Sequence, residues 1–227
     1  MVKTGTTIQD ILSIIAMLAA LAPALIILFR RIWHSDVLNF LMVLSLLCFM
    51  HQLFTIIIPV NQGGYTFAHA VFSLSEFILL LFLLRPPSQK KWMRDLFHIF
   101  SIAFLSVIIT VYAIMGATAS GRTVEILQNL ILLAAAILGI VQLLRSNQLY
   151  LFQLPLFWII AGTIAFSCME LLLAMIPSNG SDQPQKEMMI MQSLVVVIRS
   201  IFFILAASTK VKSPAVKETT GLNQFRY

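Results

Sequence analysis

The stretch IQDILSIIAMLAALAPALIILFRR, residues 8–31, decides the class of this chain. From Ile8 to Phe29 it is apolar almost without interruption, and it stops on Arg30 and Arg31. A helix needs about 20 predominantly apolar residues to cross the hydrocarbon core of a bilayer. A secretory leader would be shorter and would end near small residues such as Ala20–Leu21–Ala22. Here the apolar run continues past them to the arginine pair, so an uncleaved membrane span is expected.

Working outward, six further runs of similar character follow, near 37–60, 67–84, 96–116, 123–144, 155–177 and 188–208. The breaks between them have loop chemistry: His34-Ser35-Asp36, Asn61 to Gly64, Arg85 to Lys91, Ala119 to Arg122, Arg145 to Gln148, and Pro177 to Lys186. Pro155 suits the first turn of the sixth run, where its missing N–H costs little. The expected fold is therefore all-α, a polytopic bundle of seven transmembrane helices. It forms one domain over 1–208, followed by a polar cytoplasmic tail over 209–227.

Composition agrees. Of the 227 residues, 59% are hydrophobic and 11% charged, and the mean hydropathy is +0.94. A soluble domain carries roughly 25% charged residues, so there is too little polarity here to coat a water-soluble globule. The net charge of +6 does not point to nucleic acid, because the basic residues sit in the loops and the tail. Their placement gives orientation instead. Arg30, Arg31, Arg85, Lys90, Lys91, Arg94, Arg145, Lys210, Lys212, Lys217 and Arg226 fall on one side, against Lys3, Arg122 and Lys186 on the other. That bias predicts a cytoplasmic C-terminus and an external N-terminus. Cys48 and Cys168 lie within apolar runs and read as small buried hydrophobes.

Polar groups inside the spans carry what functional signal there is. A charge at mid-bilayer costs roughly 2.5–3.5 kcal/mol on insertion scales and needs a partner or a wet cavity. His69, Ser73 and Glu76 are spaced i, i+4, i+7, on one stripe of a helix. Thr163, Ser167 and Glu170 repeat that spacing in the sixth run. Glu125, Gln128 and Asn129 share a face of the fifth run, Gln192 and Arg199 lie seven residues apart in the last, and His51 and Gln52 close the second. With alternating directions these residues gather in the outer half of the bundle. Arg199, the one cation deep in a span, is expected to pair with Glu76 or Glu170. A pocket centred on His69, Glu76, Glu170 and Arg199 would have His51, Gln52, Glu125, Gln128 and Asn129 at its rim. The plainer reading is an ion pair that only fixes helix packing.

Other chemistries find little support. Imidazole and carboxylate suit zinc, but no His-Glu-x-x-His or His-x-x-x-His spacing occurs, so neither a metal nor another cofactor is expected. There is no nucleophile elbow, phosphate-binding glycine loop or dinucleotide fingerprint, which argues against an enzyme. Gly139 and Gly162 read as places of close helix approach. The last span has no lysine for a retinal Schiff base, and the Asp-Arg-Tyr and Asn-Pro-x-x-Tyr sequences of G-protein-coupled receptors are missing.

Two motifs do carry a resemblance. Phe67-Ala68-His69-Ala70-Val71-Phe72-Ser73-Leu74-Ser75-Glu76-Phe77, and Pro155-Leu156-Phe157-Trp158-Ile159-Ile160-Ala161-Gly162 with Phe166-Ser167, are similar to segments of uncharacterised small seven-span integral membrane proteins of Bacteroidota. Ala70 departs from the aromatic such proteins show after the histidine, and Arg199 stands where they often carry Asn. The resemblance implies a bacterial inner-membrane protein with a role in sensing. The functional expectation is a sensor or receptor-like protein with a polar pocket open to the outside. It would have the lipid bilayer around it and a membrane or cytoplasmic partner to carry the signal, with oligomeric state left open. A small proton-coupled carrier, an intramembrane metal-dependent enzyme and a structural subunit are the alternatives.

Overall fold

Each helix boundary has a local cause. In the computed structural model, which describes residues 8–30, 35–58, 63–84, 91–145, 151–175 and 182–209, all regular structure is helical. Helix α1 (Ile8–Arg30) carries Asp10 in its first turn and Arg30 in its last, each matching the sign of the helix dipole at that end. Helix α2 (Asp36–Ile57) likewise begins on an acid. It stops at Ile58, whose φ of −101° and ψ of 123° are extended, as expected for a residue preceding proline, here Pro59. Helix α3 covers Gly63–Leu83. Helix α4 runs over Lys91–Arg145, and after a short 3-10 turn at Leu151–Gln153, helix α5 (Pro155–Met175) starts on its proline. Helix α6 covers Asp182–Ser208.

Five segments are long and apolar enough to cross a bilayer: Ile8–Arg30, Asp36–Ile57, Thr123–Arg145, Pro155–Met175 and Met188–Ser208, with Phe67–Leu83 a shorter apolar helix. This is a membrane protein. Large apolar side chains such as Leu18, Phe29, Val43, Ile114, Leu138 and Met175 point outward, where lipid tails would meet them.

The sequence places a loop at Ala119 to Arg122, yet the backbone stays helical throughout α4. Its axis nevertheless turns back. Phe104 packs on Phe77 with ring centroids 5.4 Å apart, while a β-carbon on Gly139 would lie 3.9 Å from the carbonyl oxygen of Leu84. A straight helix would hold residues 104 and 139 about 52 Å apart, whereas their α3 partners, seven residues from each other, allow no more than about 30 Å. The two parts of α4 are thus sharply folded limbs. The segment between contains Gly116, Ser120 and Gly121, residue types at which helices kink.

The helices form a ring in chain order. Each packs on the next, α1 on α2 through to α5 on α6, and α6 closes the ring against α1. Small residues make that closure tight: Ala16, Ala20, Pro23 and Ala24 of α1 are buried, as are Ala206 and Ala207 of α6. Gly162 plays the same part between α5 and α6, since a β-carbon there would come within 2.7 Å of Phe202 Cβ. At the end where α1 finishes, the interior is apolar and closed, built from Ile27, Leu38, Leu41, Leu84, Ile159 and Ile160. Arg30 fastens this end by donating from Nη1 to the Ala207 carbonyl at 2.7 Å, one of the free carbonyls at the end of α6. At the opposite end, where α1 begins, the ring encloses a cavity.

Candidate functional site

The floor of the cavity is Arg199, almost fully buried on α6. Its Nη1 donates to Glu76 Oε2 at 3.0 Å, and its Nη2 donates to Cys48 Sγ at 3.1 Å. The guanidinium lies over the Phe166 ring, 4.2 Å from the centroid, with Phe203 at 5.9 Å. A cation removed from water needs all of these: a carboxylate, a soft acceptor and an aromatic face together offset its desolvation. Of the two carboxylates the sequence offers to Arg199, Glu76 takes it. Glu170 lines the same cavity with no hydrogen bond or ion pair among the described residues.

From the floor a row of titratable groups leads to the mouth. Glu76 Oε1 meets His51 Nδ1 at 2.9 Å, His51 Nε2 meets His69 Nδ1 at 2.8 Å, and His69 Nε2 meets Glu125 Oε1 at 3.3 Å. Side-chain exposure rises steadily along it, from 3% at Arg199 through 11% at Glu76 and 12% at His51 to 37% at His69 and 42% at Glu125. Aromatic neighbours hold the two imidazoles in plane: Phe72 stacks on His51 at 5.2 Å and Tyr65 on His69 at 5.9 Å.

These contacts fix the proton count. Each of the three contacts between Glu76, His51, His69 and Glu125 needs one hydrogen between its heavy atoms. Carboxylates bring none, a neutral imidazole one and an imidazolium two, so the row is saturated when one of the two histidines is cationic. That state is also electrically neutral once Arg199 is included, with two cations facing two carboxylates. The tautomers follow from this assignment of hydrogens.

The cavity encloses about 450 Å³ and takes walls from every helix of the ring. Of the polar residues singled out in the spans, His51, Gln52, His69, Ser73, Glu76, Glu125, Gln128, Asn129, Glu170, Gln192 and Arg199 line it, while Thr163 and Ser167 do not. Ser167 is buried with its hydroxyl unpaired, deeper in the α5 interface. Ser73 donates to Gln128 Oε1 at 3.0 Å, which leaves Gln128 Nε2 buried and without a partner.

Sequence reasoning missed one wall. Gln9, Asp10 and Ser13 of α1 line the cavity beside Met189 and Ser193 of α6, with Gln9 Nε2 3.1 Å from Met189 Sδ and the two serine hydroxyls 3.5 Å apart. The i, i+4 spacing of Gln9 and Ser13 was the available signal. Cys48 was also missed in its role as an acceptor for Arg199, since a cysteine in an apolar run offers no sign of a buried cation beside it.

Chemically the site holds polar or charged groups away from lipid and offers a path for a proton between Glu125 and Glu76. Among the described residues, no group of three or more His, Cys, Asp or Glu side chains is disposed to hold a metal. Both ring nitrogens of His51 are already engaged. In comparisons with known proteins, no family model matches the chain, and neither a curated protein nor a solved structure matches it.

Proposed function

We propose that this chain is a receptor-like integral membrane protein that binds a small polar molecule in the cavity and passes the binding event to a partner. One observation carries the reading: a cavity of about 450 Å³ with polar walls inside a bundle that is otherwise apolar. That volume falls within the usual range for small-molecule sites. A buried ion pair serving only as glue would have no use for a cavity of this size beside it, nor for a Glu170 carboxyl and a Gln128 amide nitrogen that have no partner among the described residues.

The topology proposed is seven spans, with the N-terminus outside and the C-terminus in the cytoplasm of a bacterial inner membrane. The folded-back α4 supports the count by supplying two limbs, and the lysine and arginine bias supports the direction. The cavity then faces outward. The proposed cytoplasmic tail over 209–227 lies outside the described residues apart from Thr209, and the signalling partner would work from that side. The His51–His69 contact favours a second reading, a proton-coupled carrier, in which the row of titratable groups loads and unloads a proton.

Native mass spectrometry of the mildly solubilised chain tests the pocket. The expected result is a non-covalent small-molecule adduct on the wild type that is lost in Gln192→Trp, which adds bulk at the cavity wall. An adduct that survives Gln192→Trp, or an apo mass under every solubilisation condition, would sink the proposal.

A further inference from the structure

We infer that the cavity takes an organic monocation, a protonated amine bearing hydroxyl or amide groups, with Glu170 as its counter-ion. The inference rests on the pocket reading above and adds the class of ligand.

Charge balance leads to it. The row from Arg199 through Glu76, His51 and His69 to Glu125 is neutral when its hydrogen bonds are saturated. Asp10, at the rim, is already engaged. Glu170 remains: a carboxyl group on the cavity wall with neither hydrogen bond nor ion pair among the described residues. A carboxylate held in a low-dielectric recess without a partner is unstable there, so an arriving cation finds an acceptor whose desolvation has already occurred. One spare carboxylate sets the charge of the ligand at one.

The competing ligand classes fit less well. An anion would need Arg199, but that guanidinium is 3% exposed and already committed to Glu76 and Cys48. A neutral polyol would satisfy the amides and hydroxyls of the wall and leave Glu170 as it was. The same amides and hydroxyls (Gln52, Gln128, Asn129, Gln192) suit a cation that carries further hydrogen-bonding groups.

The test is thermal unfolding of the purified full chain in mild detergent, with three small probes of similar size at matched ionic strength: 2-aminoethanol as its ammonium ion, ethylene glycol and glycolate. The ammonium ion is expected to raise the unfolding midpoint, with an apparent affinity at least about tenfold above either other probe. Glu170→Gln should abolish that preference, and Glu170→Asp should keep it in weaker form. Should Glu170→Gln fail to fold, the three probes on the wild type and on Glu170→Asp still decide the matter. A shift from glycolate or ethylene glycol alone would overturn the cation and leave the pocket standing. No shift from any probe would overturn both. An ammonium effect that persists in Glu170→Gln or in Gln192→Trp overturns the assignment to this carboxylate and this cavity.

Discussion

The two halves of this bundle are made from the same helices and are held together by different physics. Near the end where α1 finishes, the interior is Leu, Ile, Ala and Gly, and close approach is what matters: Gly162 lies flush against Phe202, and Ala16 to Ala24 line the tight closure of the ring. Near the end where α1 begins, the helices part, and side chains reach across the gap through hydrogen bonds. The first half loses dispersion contacts when a side chain grows or shrinks. The second loses charge compensation when a single partner is removed. Such a division lets a site hold water or a ligand while the rest of the molecule stays rigid.

Breaking the polar half at its floor should have the largest effect. Glu76→Gln leaves Arg199 buried without a carboxylate and should cost about 3–5 kcal/mol, read as a fall in the unfolding midpoint. Adding Arg199→Leu to that variant should recover most of the loss. If the double variant is no better than the single, the ion pair is not what holds the floor together.

In the apolar half, Gly162→Ala should cost about 1–3 kcal/mol, because the new methyl meets a side-chain stem that cannot swing away. Gly139→Ala sets a methyl 3.2 Å from Ile160 Cδ1, the flexible end of a side chain, and should cost less. Equal midpoints for the two variants would show that the closed half is looser than its contacts imply.

Removing one link of the row sharpens the contrast. His69→Phe keeps the stacking partner of Tyr65 but takes away the ring that joins His51 to Glu125, and should cost about 1–2 kcal/mol, read as a lower unfolding midpoint. A midpoint equal to that of the wild type would show that the row adds nothing to stability. The smallest effect belongs to Arg30→Ala, which releases the Ala207 carbonyl and should cost about 1 kcal/mol, seen as faster amide exchange at the end of α6.

Much of the candidate site was legible because helical period is a fixed property of the chain. The i, i+4, i+7 spacing of His69, Ser73 and Glu76 assigns them to one face before any packing is known, and all three line the cavity. Rotation and depth are not set by spacing. Thr163, Ser167 and Glu170 share a stripe too, yet only Glu170 reaches the cavity. Thr163 turns its hydroxyl back to the Ile159 carbonyl at 2.8 Å, within the tightly packed part of α5. The choice of Glu76 over Glu170 for Arg199 was hidden for the same reason, since it depends on how α3 and α6 are rotated toward each other. Gln9 and Ser13 were obscured by their position, because polar residues near a span end look like an ordinary approach to water. The all-helical bundle was plain from the apolar runs, while the continuity of α4 was not, since Gly116, Ser120 and Gly121 mark a bend without saying whether the hydrogen-bond ladder survives it.

Gln9 and Thr209 lie at opposite ends of the ring: Gln9, on the first turn of α1, borders the cavity, and Thr209, just past α6, sits beside Arg30 on the last turn of α1. A partner of the proposed receptor that docked beside Thr209 would sense the cavity only along the length of α6, the helix that carries Arg199 at the cavity floor and whose last turn Arg30 clasps.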